Sequence, residues 1–309
     1  MTPDVNHRLI WIGGKIVPLP DAKINVLSPT SQFGLNVFEG IRCYWSEKDQ
    51  QLYAFRLKEH YARLQRSMRM LELNDEKYSE EYLRKALIDV VRANGYQEDI
   101  SVRQTVFVDG FGSWGSSEPI NMFVAPIPKA GLSKEYNRNG LHCCVSSWQR
   151  IHDTALSPRI KCGANYINSR MGQREALRNG YDSAIFLNRF GTVSEGPGSC
   201  LFIVRSGALI TPELTDSVLE SITRDTIITL AKKELRLNVE ERSIDRTELY
   251  ICDEAFLCGS AMEVTPICSV DRHKLTVWAG GVTNALAKLY HSCLTGELSA
   301  YRDWLTPIY

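Results

Sequence analysis

The stretch Arg159-Ile160-Lys161-Cys162-Gly163-Ala164-Asn165-Tyr166 places one lysine among small and apolar neighbours, with a tyrosine five residues further on. Poor solvation disfavours the charged form of an amine, and a neutral lysine amine is a nucleophile that forms Schiff bases with carbonyl compounds. Most lysines lie on the protein surface and have no such role. The interpretation of Lys161 therefore depends on the motifs found along the rest of the chain.

The length, net charge and cysteine content of the chain limit the class of protein to which it can belong. The 309 residues are enough for a large core and two domains. With 36 basic and 36 acidic residues the net charge is zero, so nothing electrostatic favours nucleic acid or a membrane surface as a partner. No apolar run is long enough to span a bilayer, and no apolar signal segment follows Met1. Nine cysteines without a CxxC pair predict reduced thiols in a cytoplasmic protein, with neither disulfides nor a metal site.

The first 127 residues predict a small domain that mixes strands and helices. Residues 9–17 form two short apolar runs around Gly13-Gly14, which predicts a β-hairpin. Apolar residues at spacings of three and four predict one helix over residues 57–71 and a second from about 79 to 94. Residues 102–108 then predict a strand.

Two prolines and a glycine at residues 126–133 predict a linker, because they break both helix and strand patterns. We therefore divide the chain into a small domain (residues 1–127), an interdomain loop (128–137) and a large domain (138–309). Clefts between domains are common sites for small molecules.

The second half of the chain predicts a β-rich domain with flanking helices. Its predicted elements are a strand over 141–148, a helix over about 168–178, a hairpin over 183–193, a helix that opens at 219–225, a strand and turn over 254–267, and a terminal helix within 278–296. The whole order of elements predicts an α/β (α+β) fold of two domains.

Four features along the chain are candidates for a binding site. Arg63 lies at the edge of a helical stripe, where an arginine is usually solvated but can also pair with a phosphate. Glu195 precedes a Gly-Pro-Gly segment, and is either a turn residue facing water or a carboxylate fixed beside a cofactor ring. The helix start at 219–225 presents N–H groups suited to a phosphate. The turn at Ser260 has small neighbours that allow the backbone to contact a ligand.

Seven motifs, in the same order, resemble those of the branched-chain amino acid aminotransferases, which are class IV (D-alanine aminotransferase-like) enzymes. The motifs are Phe38-Glu39-Gly40-Ile41-Arg42, Arg63-Leu64, Ser146-Ser147-Trp148-Gln149-Arg150, Lys161 to Tyr166, Ser194-Glu195-Gly196 with Leu201-Phe202, Ile222-Thr223-Arg224-Asp225, and Gly259-Ser260-Ala261 with Glu263-Val264-Thr265-Pro266. The resemblance covers nearly the whole chain. It implies the two-domain fold type IV and the cofactor pyridoxal 5'-phosphate (PLP).

The resemblance also implies a role for each matching cofactor residue. Lys161 is expected to hold PLP as an internal aldimine and then to move the proton between the substrate α-carbon and the cofactor. Tyr166 is expected to hydrogen-bond the phenolic oxygen of PLP, and Glu195 to pair with its pyridine nitrogen. The residues expected to hold the phosphate are Arg63, Ile222 and Thr223 through their backbone N–H groups, Thr223 also through its hydroxyl, and Ser260.

For the substrate, the resemblance implies an amino acid donor and a 2-oxo acid acceptor, with 2-oxoglutarate as the expected acceptor. Arg103 is expected to help bind the substrate carboxylate, together with the turn at Ser260-Ala261, and Phe38 and Gly40 are expected to line the pocket. The family also implies a homodimer or a larger even assembly, because residues of the small domain complete the neighbouring site.

The substrate half departs from the family pattern. Ser101 stands where the family usually has tyrosine, and Gln104 stands where it has proline. In the predicted loop, Lys129 and Leu132 align with positions that often carry aromatic residues. Our hypothesis is that transamination is retained but that the preferred donor differs from leucine, isoleucine or valine.

Other functions remain as alternatives. The same scaffold supports D-amino acid and amine transaminases and aminodeoxychorismate lyases, and a non-catalytic relative is a further possibility. Arg103 and the motif at 38–42 favour an L-amino acid aminotransferase, and the presence of Lys161, Tyr166 and Glu195 argues against a non-catalytic relative. The absence of a G-x-G-x-x-G motif disfavours a dinucleotide-binding domain.

Overall fold

The computed structural model describes residues 7–129, 140–275 and 281–309, and the chain divides into two compact units. The first unit takes the described residues of the spans 1–130, 160–164 and 294–309, and the second takes those of 131–159 and 165–293. Segment 160–164, which contains Lys161, therefore belongs with the N-terminal part of the chain. Most of the predicted interdomain loop lies outside the described residues, and the domain boundaries stay a prediction.

The first unit is built on a seven-stranded antiparallel sheet, with strands and helices labelled in chain order. Its sheet runs β15-β4-β3-β5-β6-β1-β2. The elements are β1 (Leu9–Ile12), β2 (Lys15–Pro18), α1 (Pro29–Phe33), β3 (Asn36–Ser46), β4 (Gln51–Phe55), α2 (Leu57–Met70), α3 (Glu80–Asn94), β5 (Ile100–Val108), β6 (Ile120–Pro128) and, at the end of the chain, β15 (Leu305–Pro307), with 3-10 helices at Leu19–Asp21 and Ser299–Trp304.

The predicted hairpin and both predicted helices of this unit are confirmed. β1 pairs with β2 so that Ile12 faces Lys15, which leaves the two glycines as the turn. The side chain of Ser79 accepts a hydrogen bond from the Tyr82 N–H and begins α3, and Gly95 ends it with a φ of 67°. Because that left-handed conformation is strained for other residues, a glycine is the natural stop there.

The apolar stripes of α2 and α3 pack on one face of the sheet and form the core of the first unit. The buried side chains of this core include Tyr61, Leu64 and Met68 from α2, Leu83, Leu87 and Val90 from α3, and Val37, Ile41, Val102, Val106 and Val124 from the sheet.

The prediction that Pro126 and Pro128 break the strand was wrong. Both prolines belong to β6, where Pro126 pairs with Val102 and Pro128 with Ile100 of β5. The neighbour on the other side, β1, pairs with β6 at Phe123 and Val124. The prolines thus follow the section that pairs on both sides, which is a position where a strand tolerates a missing N–H donor.

The pairing of β3 with β5 decides which side chains share a face of the sheet. Gly40 is opposite Arg103, and Glu39 is opposite Gln104. Since side chains alternate along a strand, Phe38, Gly40 and Arg103 lie on one face, and Glu39 and Gln104 lie on the face that α2 and α3 cover. Gln104 is buried and donates to the Leu83 carbonyl of α3, so it is a core residue.

The second unit is built on a mixed sheet of eight strands in the order β11-β10-β9-β12-β13-β7-β8, with β14 paired to β13. Its elements are β7 (Leu141–Gln149), α4 (Asn165–Arg178), β8 (Ser183–Leu187), β9 (Cys200–Arg205), β10 (Ala208–Thr211), α5 (Ile222–Lys233), β11 (Val239–Glu241), α6 (Glu248–Ile251), β12 (Glu254–Gly259), β13 (Glu263–Val270), β14 (His273–Lys274) and α7 (Val282–Leu294). The strand predicted over 141–148 and the helix predicted to open near 221 are confirmed.

Helix α4 begins at Asn165, three residues before its predicted start. The apolar pattern gives no signal for this start, because the buried residue at that position, Asn165, is polar. The Asn165 side chain donates a hydrogen bond to the Ser157 carbonyl. Tyr166 consequently lies in the first turn of a helix, a position that the sequence pattern did not predict.

All nine cysteines of the chain are free thiols, and eight of them are buried. Burial raises the pKa of the Cys43, Cys252 and Cys293 thiols to about 12. These thiols are therefore protonated at neutral pH and behave as small core residues.

Candidate active site

The segment around Lys161 is attached to the sheet of the first unit. Cys162 forms an isolated antiparallel bridge with Val37, and the Phe38 N–H donates to the Lys161 carbonyl at 2.9 Å. The Lys161 N–H in turn donates to the Ser67 hydroxyl of α2 at 3.1 Å. The backbone of Lys161 is thus fixed on both sides, which restricts the region that its side chain can reach.

Lys161 and Arg103 both contact the ring of Phe38. The Arg103 guanidinium carbon lies 3.8 Å from the centre of the ring, and the Lys161 Nζ lies 5.1 Å from it. Cation–π attraction operates at these distances. The structure therefore brings together the predicted catalytic amine, the predicted carboxylate-binding arginine and the predicted pocket residue Phe38, with Gly40 opposite Arg103 on the same face.

Arg63 is buried rather than solvated, and it forms a two-pronged ion pair with Glu39. Its Nε donates to Glu39 Oε1 at 2.7 Å and its Nη2 donates to Oε2 at 2.8 Å. His60 Nδ1 lies 2.6 Å from the same Oε2. The three side chains form a buried cluster between β3 and α2, which we call the Glu39 cluster (Glu39, His60 and Arg63).

The charge state of the Glu39 cluster follows from burial and pairing. Burial alone would raise the pKa of Glu39, but the Arg63 guanidinium and the hydrogen bond from His60 hold it well below its ordinary value. Burial lowers the pKa of His60, and this outweighs the attraction to Glu39. We therefore assign an ionised Glu39, a neutral His60 that donates through Nδ1, and a charged Arg63.

This assignment predicts a loss of stability in acid. Because the pKa of Glu39 in the folded protein lies below its ordinary value of 4.5, the stabilisation it gives is complete above that pH and is lost progressively as the pH falls further. Urea unfolding between about pH 7 and about pH 3 should show this decrease in the free energy of unfolding. The Glu39→Gln variant should show a smaller decrease, and an unchanged pH dependence in that variant would contradict the assignment.

Glu195 is buried in the second unit, so it is not a turn residue facing water. The backbone on either side of it pairs with Phe186 of β8, which fixes its position. Its Oε1 accepts from Arg150 Nε at 2.8 Å, and its Oε2 accepts from the Leu219 N–H at 3.2 Å. Charge-assisted hydrogen bonds of this kind hold the carboxylate in a fixed orientation.

The start of α5 lies close to Glu195, because Leu219 precedes this helix by only three residues. Ser221 caps the helix by accepting from the Arg224 N–H at 3.3 Å, and the Asp225 N–H donates to the Ser221 carbonyl. The N–H groups of Ile222 and Thr223 have no acceptor within a helix that begins in this way. Such N–H groups bind phosphates.

The turn after β12 approaches the segment that follows Glu195. A Cβ atom on Gly259 would lie 3.2 Å from the Gly198 carbonyl oxygen, so a side chain there would push the two backbones slightly apart. The Tyr166 ring lies 3.9 Å from the position that a Cβ atom would take on Gly198. Ser260 follows Gly259 and is half-buried, and Ala261 is exposed.

In the second unit, Tyr166 and Gly259 therefore lie against Gly198, three residues after Glu195, and Ser260 follows Gly259. The Leu219 N–H, just before α5, donates to the Glu195 carboxylate. The first unit brings together Lys161, Phe38, Gly40 and Arg103, with Arg63 beneath the sheet. Of the altered positions, Ser101 lies on the Arg103 face of the sheet, and the Lys129 carbonyl accepts from Arg42 at 2.7 Å. Leu132 lies outside the described residues.

The sequence analysis did not identify His60 and Arg150 as site residues. His60, Arg63 and Ser67 are spaced by three and four residues, so they lie on one face of α2, and this spacing was available in the sequence. The pairing of Arg150 with Glu195 joins residues 45 positions apart and had no local signal.

The donor set fits PLP. A buried carboxylate paired with an arginine suits a protonated pyridine nitrogen, a helix N-terminus with a nearby hydroxyl suits a phosphate, and an amine suits an aldehyde. Within residues 7–129, 140–275 and 281–309, no group of three or more His, Cys, Asp or Glu side chains is arranged to hold a metal ion. In the same residues no helix has both the length and the apolar composition needed to cross a membrane.

Comparison with known families agrees with this donor set. The model of the family described as amino-transferase class IV matches residues 36–270. The match defines the class of the protein, which is that of the PLP-dependent class IV aminotransferases.

Individual relatives identify the family within this class. The probable branched-chain-amino-acid aminotransferase of Aquifex aeolicus is 39% identical over 303 residues, covering 96% of this chain and 95% of that protein. The branched-chain amino acid aminotransferase of Thermobaculum terrenum in its PLP form is 42% identical, with a TM-score of 0.93 and 99% of each chain covered. A T.th. branched-chain amino acid aminotransferase complexed with N-(5'-phosphopyridoxyl)-L-glutamate is 35% identical, with a TM-score of 0.91, and the match covers 99% of this chain and 100% of that one.

The chain thus belongs to the branched-chain amino acid aminotransferase family, and it is a transaminase whose cofactor is PLP. The predicted family, fold class, enzyme class and cofactor are confirmed.

Proposed function

We propose that this enzyme transfers the amino group of a branched-chain or related aliphatic L-amino acid to 2-oxoglutarate, with Lys161 as the catalytic amine. The observation that carries the proposal is the placement of the Lys161 amine and the Arg103 guanidinium against one ring, that of Phe38. A transaminase needs both groups, one to move a proton at the α-carbon and one to bind the carboxylate attached to that carbon. The phosphopyridoxyl-L-glutamate complex of the T.th. relative supports glutamate and 2-oxoglutarate as the second substrate pair.

PLP, when bound, acts as an electron sink and carries the amino group from donor to acceptor. We assign the Lys161 Nζ as the group that would hold PLP and that, as a free amine, would take the proton from the substrate α-carbon as a general base. A positioned base of this kind contributes about 10²- to 10⁴-fold to a rate. The Phe38 ring and the backbone anchors of Lys161 restrict the positions that the amine adopts, which favours a productive geometry.

The remaining residues assigned to the cofactor bind PLP and orient its ring. We assign Glu195 to the pyridine nitrogen, because its carboxylate is buried and is held in place by Arg150. We assign Tyr166 to the phenolic oxygen. The groups proposed for the phosphate are the Arg63 guanidinium, the N–H groups of Ile222 and Thr223, and the hydroxyls of Thr223 and Ser260.

For the substrate we assign the carboxylate to Arg103 and the turn at Ser260-Ala261, and the pocket wall to Phe38 and Gly40. Arg103 is exposed, so it is accessible to a substrate. Ser101 lies on the same face and removes the ring that relatives usually carry there, and this supports a donor preference that differs from leucine, isoleucine and valine. Gln104 does not contribute to this change, because it lies in the core.

A half-reaction screen tests the proposal. The absorbance of the bound cofactor is followed while individual L- and D-amino acids, aliphatic amines and glutamate are added to the holoenzyme. We expect L-glutamate and aliphatic L-amino acids to convert the chromophore and D-amino acids and amines to leave it unchanged. Conversion by leucine, isoleucine and valine ahead of all other donors would contradict the altered preference, and conversion by D-amino acids alone would contradict the proposed function.

We also propose a homodimer or a larger even assembly. The first unit exposes large apolar side chains, among them Val26, Phe111 and Trp114, each more than three-quarters exposed in the single chain. Apolar side chains that are exposed in the single chain are available for contact with a second chain. Light scattering on the purified enzyme tests the assembly.

A further inference from the structure

The Glu39 cluster contains Arg63, and its function rests on the proposed role of Arg63 at the cofactor phosphate. We propose that Glu39 and His60 are positioning residues that hold the Arg63 guanidinium in one orientation to receive that phosphate. Neither Glu39 nor His60 is assigned to the cofactor itself, and both act through Arg63.

Fold stability does not explain why these three ionisable side chains are buried together. Glu39, His60 and Arg63 each have no more than 4% of their surface exposed. Removing paired charges from water costs about as much as their attraction returns, and well-packed apolar residues of similar volume often serve a fold as well or better. The surrounding core of α2 and the sheet is apolar, so such packing is available to this position.

The geometry of the ion pair between Glu39 and Arg63 restricts the orientation of the guanidinium. A guanidinium is a planar fork with five N–H donors, and its side chain has many rotamers. The carboxylate of Glu39 binds the edge formed by Nε and Nη2, one oxygen on each nitrogen. Fixing that edge fixes the plane of the group and therefore the direction in which the Nη1 end points. An arginine held in this way loses less freedom when it binds a phosphate than one that is free to rotate.

His60 is suited to hold Glu39 because it is a neutral hydrogen-bond donor. His60 Nδ1 lies 2.6 Å from Glu39 Oε2, and the residue is one helical turn before Arg63 on α2. A neutral imidazole orients the carboxylate without adding a second positive charge that would compete with Arg63 for it. The cluster is also near the catalytic amine, because the charge of Lys161 acts on the His60 ring and Ser67 of the same helix face anchors the Lys161 backbone.

The test compares PLP with pyridoxal, which has the same ring and aldehyde but no phosphate. Dissociation constants for both are measured by absorbance titration of the cofactor-depleted full chain. We expect Glu39→Gln to weaken PLP binding about 10- to 100-fold, which is the usual range for a charge-assisted hydrogen bond, and His60→Asn to weaken it about 3- to 10-fold. Pyridoxal binding should change by less than about twofold in both variants, and a parallel loss of both ligands would overturn the proposal.

The Glu248→Gln variant is a matched control. Glu248 in the second unit is also held by both prongs of an arginine, Arg242, and its pKa is lowered to about 2. It takes no part in the proposed site. This variant should leave the affinities for PLP and pyridoxal unchanged, so a loss of affinity for PLP in it would show that the assay reports general destabilisation.

Two further variants separate the possible failures. In the Arg63→Met background the effect of Glu39→Gln on PLP affinity should disappear, because the two residues act through one group. If Arg63→Met itself does not discriminate PLP from pyridoxal, the assignment of Arg63 to the phosphate fails while the transaminase function stands. Glu39→Asp keeps the charge and maintains the comparison if the glutamine variant does not fold, and PLP affinity should then fall with pyridoxal affinity unchanged.

Discussion

Replacing Lys161 with alanine should lower kcat for transamination by at least about 10⁴-fold. The substitution removes the amine proposed to hold the cofactor and the base proposed to move the α-proton, and the second effect alone is worth about 10²- to 10⁴-fold. Single-turnover kinetics with L-glutamate measure the proton-transfer step directly. Folding should be little affected, because the contacts that anchor the segment are made by the backbone of residues 160–164.

The control for this variant is Lys85→Ala. Lys85 is an exposed lysine that pairs with Asp89 one turn away on α3, and it should leave kcat unchanged. Borohydride reduction of the holoenzyme followed by digestion should place the pyridoxyl mark on Lys161. A mark on another lysine, or full activity in the alanine variant, would show that the catalytic amine is elsewhere.

The parts of the fold that could be predicted from the sequence are those that depend on local physics. Helix α3 is defined by an apolar stripe and by a cap at each end, and all three signals lie within 17 residues, so its bounds were predicted closely. The hairpin of β1 and β2 depends on a two-residue turn and was equally local. Proline in β6 was misleading because its effect depends on which neighbour pairs with that part of the strand.

The site shows the same division between local and long-range information. The family resemblance identified Lys161, Arg103 and Glu195 as functional residues, but not the contacts that give them their environment. The ring of Phe38 receives two cations because β3 pairs with β5 and with the segment of Lys161, which are far apart in sequence. Likewise, the helical stripe alone left Arg63 as either a solvated residue or a phosphate ligand, because its partner Glu39 lies on another element. Long-range pairing decides such environments, and no single stretch encodes it.

The Glu195→Gln variant should lower kcat by about 10²- to 10³-fold, comparable to the loss of one preorganised electrostatic group in other active sites. A neutral amide does not favour a protonated pyridine nitrogen, so the electron sink at the substrate α-carbon is weakened. The nitrogen chemical shift of ¹⁵N-labelled PLP in the holoenzyme should move towards that of the unprotonated ring, which a merely structural role of Glu195 would not produce.

Arg150 loses its ion pair in the Glu195→Gln variant, so this variant changes stability as well as catalysis. In the glutamine variant its buried guanidinium loses its carboxylate partner, so the free energy of unfolding should decrease, and activity must be compared well below the melting temperature. Glu195→Asp retains the charge, and it should retain the protonated nitrogen signal even if its shorter reach lowers kcat. Glu248→Gln again serves as the control that loses a paired carboxylate away from the cofactor, and it should change neither the nitrogen signal nor kcat. If the ring nitrogen signal were the same in the Glu195→Gln variant and in the unchanged enzyme, Glu195 would not be the partner of the ring nitrogen. Replacing a carboxylate that contacts this nitrogen by a neutral amide changes the protonation of the nitrogen.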